Sequence, residues 1–175
     1  MDLKATIRTI PDYPKPGILF RDVSTLFGHA PAFAQAVRDM CAPFDAKKIS
    51  KVAGIDARGF ILGGAMAVQL EAGFLPLRKP GKLPFETHSE AYDLEYGTDE
   101  LHMHVDGVEA DEPVLLVDDL IATGGTAEAG LKLLQRGGAN VVAASFLVDL
   151  PDLGGAERLR GHGIDVHALM AFEGH

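Results

Sequence analysis

Cysteine is nearly missing from this 175-residue chain: Cys41 stands alone, so no intrachain disulfide can form and the expected compartment is the reducing cytoplasm. Cys41 also lies among apolar residues at helical spacing, which marks a packed core thiol rather than a nucleophile. Long hydrophobic runs are missing too. The most apolar window, GFILGGAMAV (Gly59 to Val68), is too short to cross a bilayer, and the opening MDLKATIRTI lacks the apolar centre of a secretory leader, so no membrane partner is expected. Positive charge is scarce, with 16 Lys and Arg against 25 Asp and Glu and a formal net charge of −9. That balance excludes a broad nucleic-acid face. It leaves room for a small anionic ligand, because fields are screened over roughly 8 Å in physiological salt and a local basic cluster still acts. Internal repeats, low-complexity tracts and linkers are absent, so residues 1–175 read as a single domain.

What the chain does contain is a rhythm of short apolar runs and helical stretches, in an ordinary globular composition of 47% hydrophobic and 23% charged residues. PAFAQAVRDMCAPF places Phe33, Val37, Met40, Cys41 and Phe44 on one stripe of a helix. KVAGI (Lys51 to Ile55) is a short strand, GFILGGAMAVQLEAG a helix ending near Gly73, and FLPLR (Phe74 to Arg78) the next strand. VLLVD, from Val114, is another. GTAEAGLKLLQRGGA then supplies a helix with Leu131 and Leu134 inward and a stop at Gly137–Gly138. NVVAASFLV and IDVHALMAF are further strands. Apolar strands alternating with helices predict an α/β fold with a parallel sheet covered on both faces. Residues 80–105 break the rhythm: Tyr92, Leu94 and Tyr96 fall on one side, and Leu101, Met103 and Val105 alternate with Glu100, His102 and His104. That pattern predicts an antiparallel ribbon, a kind of excursion that is disproportionately a functional lid. His102 and His104 read as exposed strand histidines, since no third metal ligand lies near them in sequence.

The most informative stretch is VLLVDDLIATGGTA (Val114 to Ala127). Ligands of open parallel sheets bind beyond the carboxyl ends of the strands, so Asp118 and Asp119 arrive at a binding edge. Alternation along a strand sends them to opposite faces, with separate roles, unless the strand ends between them. The turn that follows opens a helix on small residues. Its free N–H groups, with the hydroxyls of Thr123 and Thr126, suit a phosphate monoester, and Gly124 and Gly125 let the backbone close on the oxygens. Carboxylates for a diol beside a loop for phosphate describe a sugar phosphate; an acidic strand end before a capped helix would look the same locally. The loop has no G-x-x-x-x-G-K-[ST], and GGTAEAG does not fit G-x-G-x-x-G, against a Walker-type kinase or a Rossmann dehydrogenase. A second strand-to-helix turn, GIDARGF (Gly54 to Phe60), offers amides and Arg58 to another anion such as pyrophosphate, unless Arg58 merely pairs with a nearby carboxylate. LRKPGKL adds Arg78, Lys79 and Lys82 at a strand end, where a solvated cluster is the default.

These residues resemble a known family. VLLVDDLIATGGTA resembles the phosphoribosyl-diphosphate (PRPP) signature of type I phosphoribosyltransferases, and DYPKPGILFRDVS, GIDARGF, RKPGKLP and YDLEYGTDEL together are similar to the adenine phosphoribosyltransferases. The resemblance runs in order from Asp12 to the C-terminal FEGH. It implies a type I phosphoribosyltransferase fold: a central parallel sheet of five strands flanked by helices, a flexible antiparallel ribbon at about 80–105, and a small base-binding hood at about 1–30. The implied reaction joins adenine and PRPP to give AMP and pyrophosphate in purine salvage. Mg²⁺ is the implied cofactor, held mainly by substrate with no protein metal cage, and the implied assembly is a homodimer. By the same resemblance Asp118 and Asp119 bind the ribose diol, and Ala122, Thr123, Gly124, Gly125 and Thr126 hold the 5′-phosphate. Asp56, Ala57, Arg58, Arg78, Lys79 and Lys82 meet pyrophosphate, some of the basic ones from the partner subunit. Leu19, Phe20 and Arg21 form the adenine pocket, while Glu95, Tyr96 and Arg58 act in catalysis, Glu95 as the proton-handling group. Two departures stand out: Asp56 where relatives carry Glu, expected to be tolerated, and a start close to DYPKPGILFRD without the longer N-terminal helix of many relatives. Two alternatives stay open, the same scaffold acting on hypoxanthine, xanthine or orotate, and a non-catalytic PRPP or purine sensor. FRD and YDLEYG weigh against the first; the acidic chain and the intact Lys79, Lys82, Glu95 and Tyr96 weigh against the second.

Overall fold

In the computed structural model, which describes residues 1–94 and 97–174, the chain opens with a small hairpin. β1 (Arg8–Pro11) pairs antiparallel with β2 (Leu19–Asp22), Arg8 opposite Asp22 and Ile10 opposite Phe20. The Asp22 carboxylate takes the Ser24 N–H at 3.0 Å and turns the chain into the single-turn helix α1 (Ser24–Phe27). α2 (Ala30–Cys41) buries Val37, Met40 and Cys41 as the stripe predicts, with Phe33 half-buried. The helix itself stops at Cys41. Pro43 has no N–H to continue it, and Phe44 reaches the core from a 3-10 turn, Ala42–Phe44.

β3 (Lys51–Ile55), α3 (Arg58–Gln69) and β4 (Gly73–Leu77) form a strand–helix–strand unit, with β3 and β4 parallel and Lys51 opposite Gly73. The end of α3 corrects the sequence expectation of a stop near Gly73. Glu71 turns left-handed (φ 55°) and the Ala72 N–H closes back on the Ala67 carbonyl at 2.8 Å, so Gly73 already begins the next strand. β5 (Thr87–Leu94) and β6 (Gly97–His104) are the expected ribbon, with Tyr92 opposite Asp99. Arg78 and His102 exchange backbone hydrogen bonds of 3.0 and 2.8 Å, which hangs the ribbon from the end of β4. Leu101 and Met103 are fully buried, as their alternation predicts. Leu94 is not: it is exposed although it shares a side with buried Tyr92, and Tyr96 lies outside the described residues. His102 is also less exposed than expected, because its ring is held between Thr87 Oγ1 at 3.0 Å and Glu100 Oε2 at 2.8 Å.

The second half of the chain adds β7 (Pro113–Ile121), α4 (Gly125–Arg136), β8 (Asn140–Asp149), the short α5 (Gly155–Arg160) and β9 (Asp165–Ala171). The five strands of the main sheet run parallel in the order β4-β3-β7-β8-β9. One core layer joins Val52, Leu115 and Val117 to α2 and α3 through Met40, Leu62 and Met66. The other joins Ala53, Val114 and Leu116 to α4 and the ribbon through Leu131, Leu134 and Met103. Neighbouring strand residues thus feed opposite layers, which is why these strands are apolar throughout. No helix among the described residues is long and apolar enough to cross a membrane.

Candidate active site

From β3 the sheet grows outward to β4, and from β7 it grows the other way to β8 and β9, so the connections reverse between β3 and β7. Such a reversal leaves a crevice at the strand ends. A cavity of about 280 Å³ lies there, lined by residues 55–58 from the end of β3 into α3, by Lys79 after β4, and by residues 118–126 from the end of β7 into α4. The acidic pair, the phosphate-type turn and the GIDARGF turn therefore open on one space.

Strand β7 does not end between the two aspartates, yet they do not part to opposite faces. Leu115 and Val117 pack in one core layer and Val114 and Leu116 in the other, but beyond the pair Leu120 joins the first layer and Ile121 the second. The alternation slips by one residue across Asp118–Asp119. Both carboxylates consequently meet the start of α3. Asp118 Oδ1 would lie 2.9 Å from a Cβ on Gly59, and Asp119 Oδ2 accepts from Arg58 Nε at 2.6 Å. Gly59 is required there, since a side chain would displace Asp118. Burial, with the adjacent Asp119 charge, pushes the Asp118 carboxyl well above the usual carboxylate range, although the Asp119 N–H donates to it at 2.8 Å. The Asp119 bond and charge hold the Arg58 guanidinium more firmly protonated than usual.

The phosphate-type turn is built from a left-handed residue and a helix start. Gly124 takes φ 87°, and its carbonyl accepts the Glu128 N–H at 2.8 Å, closing the first turn of α4. The N–H groups of Gly125, Thr126 and Ala127 precede that bond and have no helical acceptor. They are what a phosphate dianion would meet, assisted by the helix dipole.

The other predicted residues are placed less uniformly. Asp56, Ala57, Arg58 and Lys79 line the cavity; Arg78 and Lys82 do not. Arg78 Nε bonds Asp56 Oδ2 at 3.3 Å and its guanidinium stacks over the Phe60 ring, while Lys82 is exposed. Lys79 Nζ reaches back to the ribbon, 2.5 Å from Asp99 Oδ2 and 2.6 Å from the Tyr92 hydroxyl. Leu19, Phe20 and Arg21 sit on β2, outside the cavity lining. Phe20 meets Tyr13 edge-on, and Arg21 stacks on Phe172 and donates to Thr9 Oγ1 at 2.7 Å and the Glu173 carbonyl at 3.1 Å. Glu95 and Tyr96 lie outside the described residues.

Comparison with known proteins agrees with this geometry. A profile described as phosphoribosyl transferase domain matches residues 25–158. The adenine phosphoribosyltransferase of Bradyrhizobium sp. strain BTAi1 is 65% identical over 175 residues, covering 100% of this chain and 98% of that protein. The chain belongs to the adenine phosphoribosyltransferase family. The crystal structure of the family member from Rhodothermus marinus superposes with a TM-score of 0.91 at 49% identity, covering 97% of this chain and 96% of that one. A second, from Saccharomyces cerevisiae and complexed with an imino-altritol bisphosphate and adenine, gives 0.90 at 34% identity over 96% of each chain. The fold is that of the type I phosphoribosyltransferases, as the sequence resemblance implies.

Sequence reasoning missed one contributor to the phosphate-type turn. Gly155, at the start of α5, donates its N–H to the Ala122 carbonyl at 3.0 Å, and a Cβ on it would stand 2.5 Å from that oxygen and 2.8 Å from Gly124 N. The only trace in sequence is the Gly154–Gly155 pair, which reads as an ordinary loop.

Proposed function

We propose that this chain transfers the phosphoribosyl group of PRPP to adenine, giving AMP and pyrophosphate in purine salvage. The observation that carries the reading is the single cavity at the β3/β7 reversal, on which paired carboxylates, a phosphate-type turn and an anion-seeking turn all open. In this reading the N–H groups and hydroxyls of residues 122–126 hold the 5′-phosphate, and Asp118 and Asp119 take the ribose diol. Asp56, Ala57 and Arg58 form the pyrophosphate turn with Lys79, and Arg78 and Lys82 stand at its margin. The Arg58–Asp119 ion pair suits this substrate, because PRPP supplies a replacement partner to both members at once, diol to Asp119 and pyrophosphate to Arg58. The cation is then freed to stabilise leaving-group charge as the base nitrogen displaces pyrophosphate at the anomeric carbon, through a transition state of oxocarbenium character.

Mg²⁺ would supply further charge stabilisation on the pyrophosphate oxygens. Asp118 and Asp119 are hard oxygen donors that fit such an ion. No group of three or more metal-ligating side chains converges among the described residues, so substrate oxygens and water would complete its shell. Residues 1–30 serve as the hood, with Leu19, Phe20 and Arg21 facing the base. Glu95 handles the proton on the adenine ring, and Tyr96 closes over the site when the ribbon folds down and excludes water. A cytoplasmic homodimer completes the proposal. Exposed Ile61 and Val68 on α3, beside an apolar groove between α2 and α3 lined by Phe33, Val37 and Ala65, support a second copy as the cover of that face.

The test is turnover of PRPP with Mg²⁺ and, separately, adenine, hypoxanthine, guanine and orotate, reading nucleotide and pyrophosphate. AMP from adenine alone is the expected result. Turnover of another base would keep the transfer chemistry and overturn the base assignment. PRPP binding with no turnover would make the protein a sensor.

A further inference from the structure

The PRPP reading leaves a charge unexplained. Glu128 lies in the first turn of α4, the turn assigned to the 5′-phosphate, and a carboxylate beside a phosphate dianion opposes binding. The structure surrounds it with an arginine from α5, a lysine from α4 itself and a histidine just beyond α5. Arg158 Nε bonds Glu128 Oε2, Lys132 Nζ lies 3.0 Å from Oε1, and His162 Nε2 lies 3.7 Å from Oε2. Burial alone would raise the Glu128 carboxyl, but Arg158 and Lys132 bring it down to about 2, so it is an anion at any working pH. Arg158 Nη1 also stands 3.5 Å from the Thr123 carbonyl and 3.8 Å from where a Cβ on Gly125 would lie. The same short helix carries Gly155, pressed against Ala122 and Gly124 of the turn.

We infer that α5 belongs to the phosphate site: Gly155 fixes the curl of the loop, and Arg158 is a positioning residue that holds Glu128 and cancels its charge beside the 5′-phosphate. The inference rests on the PRPP reading of the cavity. A second cavity, of about 320 Å³, is lined by Glu128, Lys132 and Arg158 and shares Gly125 with the first. The Glu128–Arg158 pair lines this second cavity and not the first, and its bond already joins α5 to the first turn of α4 before ligand arrives, which lowers the ordering cost of binding.

A double-mutant cycle tests this, with the dissociation constant of PRPP and Mg²⁺ measured by calorimetry on the full chain and steady-state KM values alongside. An uncancelled charge beside a dianion at a solvated site should cost about tenfold in affinity. Arg158→Ala should therefore weaken PRPP about tenfold and raise KM for PRPP far more than KM for adenine. Glu128→Gln alone should bind PRPP a few-fold tighter than the wild type, a gain that a purely structural role would not give. The double variant should recover to within about twofold of Glu128→Gln, and Arg158→Lys should retain most of the affinity. Weakened binding in Glu128→Gln, or no recovery in the double variant, would overturn the inference while leaving the PRPP reading intact. A wild-type protein that binds no PRPP at all would overturn the reading beneath it.

Discussion

Replacing Asp118 by Asn should stabilise the ligand-free protein while it damages PRPP binding. Asn keeps an oxygen that can accept the Asp119 N–H, now received by Asp118 Oδ1 at 2.8 Å, so the exchange removes charge with little change of shape. What it removes is a half-buried carboxylate beside a like charge; its desolvation and that charge push the Asp118 carboxyl upward. As a general scale, two like charges roughly 4 Å apart repel by about 4 kcal/mol at an effective dielectric near 20, an upper bound for neighbouring carboxylates at a cavity wall. Arg58 on Asp119 and solvent at the cavity mouth offset much of that, leaving roughly 1–2 kcal/mol. For a chain of this length that corresponds to about 3–6 °C in Tm. The sign with pH follows from the raised carboxyl: the cost exists while Asp118 is ionised and disappears as it takes up a proton. The advantage of Asp118→Asn over the wild type should therefore shrink as pH falls. Scanning calorimetry at pH 7.5 and at pH 5, with and without PRPP and Mg²⁺, reads both halves. A saturating ligand adds about 2.7 kcal/mol at a hundred times its dissociation constant, and the variant should lose most of that shift. An Asp118→Asn protein that melts at or below the wild type at pH 7.5, or that keeps the full PRPP shift, would refute the reasoning.

Glu95→Gln should lower kcat by about 10²–10⁴-fold, the usual worth of general acid–base assistance, with PRPP affinity retained; full turnover by Glu95→Leu at saturating substrates would remove Glu95 from the mechanism. Acid should unfold the N-terminal hairpin contact in a defined window. Bonds from Ser24 and Arg8 hold the Asp22 carboxyl down at about 2 against an ordinary 3.8, so its stabilisation is complete above the ordinary value and is lost as pH falls through the lowered one. Urea midpoints of the wild type and Asp22→Asn should differ at pH 7 and converge near pH 2, and a gap that persists at pH 2 would show that shape rather than charge matters there.

How far the site could be read in advance depended on how local each cause is. KVAGI is a strand because its apolar run feeds two core layers, a cause contained in five residues, and Lys51–Ile55 is the strand observed. The turn at residues 122–126 was legible for the same reason, since small residues between a strand and a helix already mark a tight turn with free N–H groups at the helix start. The end of α3 was misread because Gly73 looks like a stop, whereas the chain reverses on Glu71 and Ala72 through a backbone bond that leaves no compositional mark. The facing of Asp118 and Asp119 depended on a one-residue slip that period-two reasoning cannot anticipate. The partners of Arg58, Lys79 and Arg158 are carboxylates 61, 20 and 30 residues away, brought in by the fold, so their pairing belongs to tertiary structure. Gly155 makes the same point in steric form: its missing Cβ matters only because α5 returns to Ala122 and Gly124, 33 and 31 residues earlier in the chain. A signature therefore identifies the groups that open on the cavity. The residues that hold those groups in place, and that balance the charges they cannot avoid, lie outside it and answer to packing alone.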